Sequence, residues 1–165
     1  MKQIRDPLKE LKSFHRDALK QLEMLEKALA AFRETGRVDE MRLSLEGFYF
    51  FVRKEMALHS KDEEEILFPL LENMDLGGID VKDIVDEHEY LRASEEVLEL
   101  LKGADRETKK QIESTVDEVI QTLREHIRKE DVFIIGGAAR KLSREQLAGI
   151  AGKMNELRSG GNYGY

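Results

Sequence analysis

Helical periodicity broken at matching places by histidine constrains this chain more than any other feature. Apolar residues recur every three or four positions over four long stretches, and all four histidines fall on those stripes. Two of them are followed one turn later by glutamate, as His59-x-x-x-Glu63 and His126-x-x-x-Glu130. Residues i and i+4 of a helix share a face, one above the other. Each pair therefore projects an imidazole and a carboxylate toward whatever its stripe packs against. Four imidazoles and two carboxylates aimed into one core would be costly unless something binds them. A pair of metal ions is the obvious candidate.

Punctuation along the chain sets the helix limits. Asp6-Pro7 reads as an N-cap with proline at the first helical position, and Gly36 closes the helix that carries Leu11, His15, Ala18, Leu22 and Leu25. A second helix starts near Asp39 and carries Phe48, Val52, Met56, His59, Glu63 and Ile66. Pro69 should kink or end it, and Gly77-Gly78 breaks the chain. The third opens at Asp80 and carries Ile84, His88 and Leu91 as far as Gly103. The fourth starts near Asp105 and carries Val116, Val119, Leu123, His126, Glu130 and Phe133 to a break at Gly136-Gly137. Ser143-x-x-Gln146 is a capping-box signature for a shorter fifth helix ending near Arg158.

Four long helices joined by short loops predict an all-α, up-down-up-down antiparallel four-helix bundle, with the short fifth helix covering one end. Residues 1–158 are expected to form one domain and 159–165 a disordered tail. The chain also repeats itself weakly, because each His-x-x-x-Glu helix follows one bearing a solitary histidine, His15 or His88. That suggests a pseudo-twofold bundle with its site on the axis.

Composition removes several alternatives. A net charge of -7 gives no basic stripe for nucleic acid, and the absence of cysteine excludes disulfides, iron–sulfur ligation and thiol chemistry. Val132 to Ala139 is the longest uncharged apolar run, too short to span a bilayer, and the N-terminal residues lack a signal-peptide apolar region. A soluble, cytoplasmic protein is the default expectation. One apolar seam filling one core leaves no second apolar face, which favours a monomer.

The spacing alone is weak, since composition gives two such His–Glu pairs roughly one time in ten. A lone histidine on an apolar face is most often a hydrogen-bonded core residue, and an i,i+4 His–Glu pair most often a surface contact. Coincidence shifts the balance: every long helix contributes, and every contribution lies on the inward stripe. Depth agrees too, with His15 about two turns into its helix and His59 about five turns into a longer neighbour. Imidazole and carboxylate without thiolate suit iron, manganese or zinc. Two carboxylates can bridge two ions, and the ligand count leaves coordination positions open. A ferritin-like site would need Glu-x-x-His, which none of His15, His59, His88 or His126 satisfies.

Neighbouring charges read as ordinary. Glu64 and Glu65 are expected on solvated helix faces, and Asp131 is expected to point away from the stripe. Glu95, two turns beyond His88, is a boundary residue or else a partner of that histidine. Tyr49 and Tyr90 read as core-edge aromatics.

These stretches resemble the hemerythrin-like, or HHE cation-binding, family. The resemblance rests on His59-Ser-Lys-Asp-Glu63-Glu-Glu-Ile-Leu-Phe68-Pro69, on Asp86-Glu87-His88-Glu89-Tyr90, and on Glu125-His126-Ile127-Arg128-Lys129-Glu130, and spans residues 8 to 140. It implies that His15 and His59 hold one non-haem iron, His88 and His126 a second, with Glu63 and Glu130 bridging them about an oxo or hydroxo group. It further implies a pocket that admits O₂ or a related small molecule such as NO or peroxide. Manganese or zinc would also suit the ligands. Two departures stand out. The oxygen carriers of the family have a further histidine where this chain has Ile84, and their fourth-helix carboxylate is an aspartate at i+5, where Glu130 stands at i+4 and Asp131 at i+5. A di-iron oxidase or peroxidase and an iron-sensing or iron-handling module remain rival expectations, so whether the protein is an enzyme stays open.

Overall fold

Four helices begin where the sequence supplies a side-chain acceptor. In the computed structural model, which describes residues 3–103 and 105–160, Asp6 accepts from the Lys9 amide, Asp80 from Lys82, Asp105 from Thr108 and Ser143 from Gln146. Each bond satisfies an amide that the first turn would otherwise leave unpaired. The chain is all-helical, with no strand among the described residues.

Helix α1 is Pro7–Thr35, closed by Gly36 in the left-handed conformation at φ 64. Helix α2 spans 38–71: it is α-helical over Val38–Phe51, Ala57–Lys61 and Phe68–Leu71, and π-helical over Val52–Met56 and Asp62–Leu67. It ends two residues after Pro69. Helix α3 spans 81–100 with a 3₁₀ turn at Ser94–Glu96. Helix α4 spans 106–141, built from Arg106–Lys129, a π-helical segment Glu130–Ile135, and Gly136–Lys141. Helix α5 is Arg144–Ser159, opened by the expected reciprocal capping box.

Helix α1 packs on α2 and α4, and α3 packs on the same two, which makes a helical bundle. Helix α5 lies against α1 and the Asp62–Leu67 segment of α2. Asn155 ties it to the chain start by accepting from the Ile4 amide and donating to the Ile4 carbonyl, both at 2.8 Å.

The core falls into two apolar clusters. One gathers Ala18, Met56, Leu91 and Leu123; the other gathers Leu11, Ile66, Ile84 and Ile134. Between them, each of the four long helices places a polar step: His15, His59 with Glu63, His88, and His126 with Glu130, all buried. The polar layer is thus sealed above and below by hydrocarbon.

Three expectations are corrected. Gly136-Gly137 does not break α4, which runs on to Lys141. A Cβ at Gly137 would come within 2.7 Å of Leu76 Cδ2, so the missing side chain serves close packing there instead. Tyr49 lies in the core rather than at its edge: it is fully buried, its hydroxyl donates to the Ser94 carbonyl at 2.9 Å, and burial pushes the phenol up to about 12. Ser159, expected in the tail, forms the last turn of α5, while residues 161–165 of that tail lie outside the described residues. Among the described residues, no helix is long and apolar enough to cross a membrane.

Candidate metal centre

Side-chain direction builds the site before any ion is considered. His15, His59, His88 and His126 all turn Nε2 inward, toward the carboxylates of Glu63 and Glu130. Glu130 is the hub. Its oxygens lie 3.0 Å from His15 Nε2, 3.1 Å from His126, 3.5 Å from His88 and 3.8 Å from His59. Glu63 lies 3.4 Å from both His59 and His88. The imidazoles of His15 and His59 also approach at 3.2 Å, nitrogen to nitrogen.

Few of these approaches have hydrogen-bond geometry. Both oxygens of Glu63, both of Glu130 and Nε2 of His88 are fully buried without a hydrogen bond. Buried polar atoms are almost always satisfied, so five orphans in one layer call for a missing partner. Their chemistry says which kind. Carboxylate oxygens and imidazole Nε2 lone pairs converging on one point share one suitable partner, a cation.

The donors form two overlapping sets, His15, His59, Glu63 and Glu130, and His88, His126 and Glu130, with ligand atoms within 4.8 Å of one another. Ligands about 2.1 Å from one ion lie at most about 4.2 Å apart, so a slight contraction would close each set. The residues fit a metal site.

The Nδ1 atoms face outward and reveal a feature the sequence reading missed. His15 Nδ1 donates to Asp131 at 2.9 Å, His88 Nδ1 to Glu64 at 2.7 Å and His126 Nδ1 to Glu87 at 2.8 Å. A carboxylate can only accept, so it fixes the proton on Nδ1 and leaves Nε2 as the inward donor atom. Glu64 and Asp131 are therefore not idle surface charges, which corrects both expectations. Arg92 approaches Glu64 at 3.8 Å, and Lys129 pairs with Glu87. Glu95 pairs with Arg53, not with His88.

A sequence signal for these partners did exist. Each outer carboxylate is the chain neighbour of a cluster residue: Glu64 of Glu63, Glu87 of His88 and Asp131 of Glu130. Each serves the histidine of the following helix, with α4 closing the ring onto α1. The π-helical segments that begin at Asp62 and Glu130 bring Glu64 and Asp131 round to those neighbours, where an α-helical angle sends Asp131 away from the stripe. The ring breaks at α1, where the residue before His15 is Phe14. Its ring stacks on His59 at 4.0 Å between centroids.

The carboxylates also set the charge of the layer. Burial, the largest influence, pulls His88 down, yet Glu130, Glu63 and Glu64 together hold it up to about 11. His126 is likewise pulled down by burial and held up to about 9, chiefly by Glu130. His15 is raised against the same burial by Glu130. Glu130 shows the reverse: burial would raise it, but the surrounding imidazoles hold it well below the usual carboxylate range.

A buried ring of imidazoles and carboxylates between two apolar clusters defines a cation-binding helical bundle. The model of the hemerythrin HHE cation binding domain matches residues 6–134, and the chain belongs to that family. Among curated proteins, none matches the chain.

Loss of one outer carboxylate should loosen the site without dissolving it. Asp131→Asn replaces the acceptor on His15 Nδ1 by a weaker one, and metal affinity is expected to fall roughly tenfold. Competition against a calibrated chelator measures this, and an unchanged affinity would contradict the role given to Asp131.

Proposed function

We propose that this chain is a non-haem di-iron protein that binds O₂ or a related small molecule such as NO or peroxide. The observation that carries the reading is the set of buried, unsatisfied oxygens on Glu63 and Glu130, flanked by imidazole Nε2 atoms in two sets that share Glu130. His15 and His59 would hold one ion and His88 and His126 the other, with Glu63 and Glu130 between them. When bound, a ferrous pair supplies electrons and open coordination positions to a small oxidising or diatomic ligand. The protein's own part is positional. Asp131, Glu64 and Glu87 hold Nδ1 protons in place, and the two apolar clusters keep bulk water from the layer.

The frame is proposed to be an up-down-up-down antiparallel four-helix bundle. Cross-links between α1 and α4 support it, for Arg33 meets Glu113 and Asp117, Glu26 meets Arg124, and His15 meets Asp131. Partner numbers rise along α4 as they fall along α1.

A second reading, a di-iron oxidase or peroxidase, draws on one observation. Ile84, one turn before His88, is fully buried and can supply no ligand, which leaves the His88 side of the site short of donors. Anaerobic loading with Fe(II), desalting and iron counting test the metal reading, with two ions per chain expected. Spectra before and after air then separate the readings. A band reversed by removing O₂ supports a carrier or sensor, and irreversible conversion with peroxide turnover supports the enzyme. A chain that keeps no iron overturns both.

A further inference from the structure

Each cluster glutamate follows a residue that another helix holds by an ion pair. Lys129, the residue before Glu130, pairs with Glu87 of α3. Asp62, the residue before Glu63, takes two bonds from the Arg158 guanidinium of α5, at 2.9 and 2.6 Å. Asp62 is buried, and Arg158 is braced in turn by donating to the Met154 carbonyl at 3.0 Å. Both pairs stand where α-helix gives way to π-helix, at Asp62 in α2 and at Glu130 in α4. The Asp62 amide donates to the carbonyls of His59 and Leu58. The clasped residue is thus bonded to the backbone of the histidine before it and covalently joined to the glutamate after it. Helix α5 lies beyond residues 6–134, the span of the family domain, yet its Ile150, Ala151 and Met154 share an apolar cluster with Leu11, Ile66 and Leu67.

We propose that Arg158 is a positioning residue for the metal centre: through Asp62 it holds His59 and Glu63 in place, and α5 thereby sets how fast their ion leaves. The inference rests on the metal-centre reading above. A π-helical turn is a rare departure from the α-helix. Returning Asp62–Leu67 to α-helix would rotate Glu63 and Glu64 about the axis, away from His59 and His88. An ion pair at the junction opposes that rotation. Arginine suits the task, because its planar fork meets a carboxylate at two points and fixes direction as well as distance. Burial stiffens the hold, since an Asp62 charge parted from the guanidinium would be left uncompensated away from water. The effect is one-sided. His59 and Glu63 belong with His15 and Glu130 to one candidate donor set, and neither belongs to the set that holds His88 and His126.

Release of Co(II) from the loaded full chain to excess chelator, followed by absorbance, tests this. In Arg158→Gln one ion per chain should leave about tenfold faster than in wild type, while the other keeps its rate. Arg158→Lys keeps the charge without the fork and should give an intermediate rate at the same ion. Asn155→Ala, which removes the two bonds between α5 and Ile4 and spares Asp62, should leave both rates alone. Equal acceleration of both ions, or an Asn155→Ala chain that matches Arg158→Gln, would reduce Arg158 to general packing and overturn the proposal. If Arg158→Gln fails to fold, unchanged rates in Arg158→Lys would overturn it too. Wild-type chain that holds fewer than two Co(II) would overturn the two-ion reading and this inference with it. Two ions held, with unchanged release in both Arg158 variants, would overturn this inference alone.

Discussion

Glu130→Ala is expected to strip the chain of most of its metal and to erase the metal-dependent rise in melting temperature. Among the described residues, no other side chain reaches all four imidazoles, with approaches of 3.0 to 3.8 Å. It also belongs to both candidate donor sets, whereas Glu63 belongs to one. A ligand present at a thousandfold excess over its Kd stabilises the folded state by about 4 kcal/mol. For a chain of this size that is a rise of about 10 °C, and Glu130→Ala should lose it. In chelator the same substitution also costs stability, because it leaves the imidazoles of His15, His88 and His126 without their buried counter-charge. The informative quantity is therefore the difference of differences: wild type and variant, each with and without metal, by calorimetry and metal counting. Glu63→Ala should fall between the two. A Glu130→Ala chain that keeps two ions and the full thermal increment would remove Glu130 from the site.

Much of this fold is readable because its signals are local. Asp6, Asp80, Asp105 and Ser143 each act on an amide two or three residues away, and a 3.6-residue period needs only one helix to be seen. The six residues His15, His59, Glu63, His88, His126 and Glu130 are legible for the same reason: each interrupts an apolar stripe, and the structure gathers all of them in one layer. What escapes depends on the neighbouring helix. Nothing within 136–141 reveals that Leu76, from a distant loop, needs the space at Gly137. Asp131 is misplaced by an ideal helical angle because the segment that starts at Glu130 is π-helical. The Asp62–Arg158 pair joins residues that no helical period relates.

The outer ring gives these details a common logic. A metal ligand on a helix needs its imidazole held at one angle, and the cheapest source of a holding group is the next helix around the bundle. A carboxylate one residue off the stripe points toward that neighbour. The chain uses the device at Glu64, Glu87 and Asp131 and omits it at Phe14. The layer therefore has three imidazoles pinned at Nδ1 by carboxylates and one, His59, whose ring stacks on Phe14 and whose Nε2 meets His15.

Metal-free and metal-loaded protein should answer pH in opposite directions. In the metal-free chain, His88 and His126 are held at about 11 and about 9, above the unperturbed 6.5, and His15 is raised as well. A raised folded-state pKa gives stability that is complete below the unfolded value and is lost as pH climbs through the folded one. From pH 6.5 to 9 the shift at His126 alone is worth roughly 3 kcal/mol. The metal-free melting temperature should therefore drop by several degrees across that range. On the acid side Glu130, held low, contributes stability above its ordinary 4.5 that disappears as pH falls. The metal-free optimum thus lies between 4.5 and 6.5. Cations need the same Nε2 atoms unprotonated, so their uptake displaces protons and strengthens with pH. Loaded protein should hold or gain melting temperature from pH 6.5 to 9, and the gap between the two forms should widen. Glu130→Gln should flatten the metal-free slope, since its carboxylate is a leading cause of the raised values at His15, His88 and His126. A metal-free melting temperature that stays level or climbs from pH 6.5 to 9 would mean that the imidazoles are not charged against Glu130. The layer would then rest on neutral hydrogen bonds, not on ion pairs that a metal replaces.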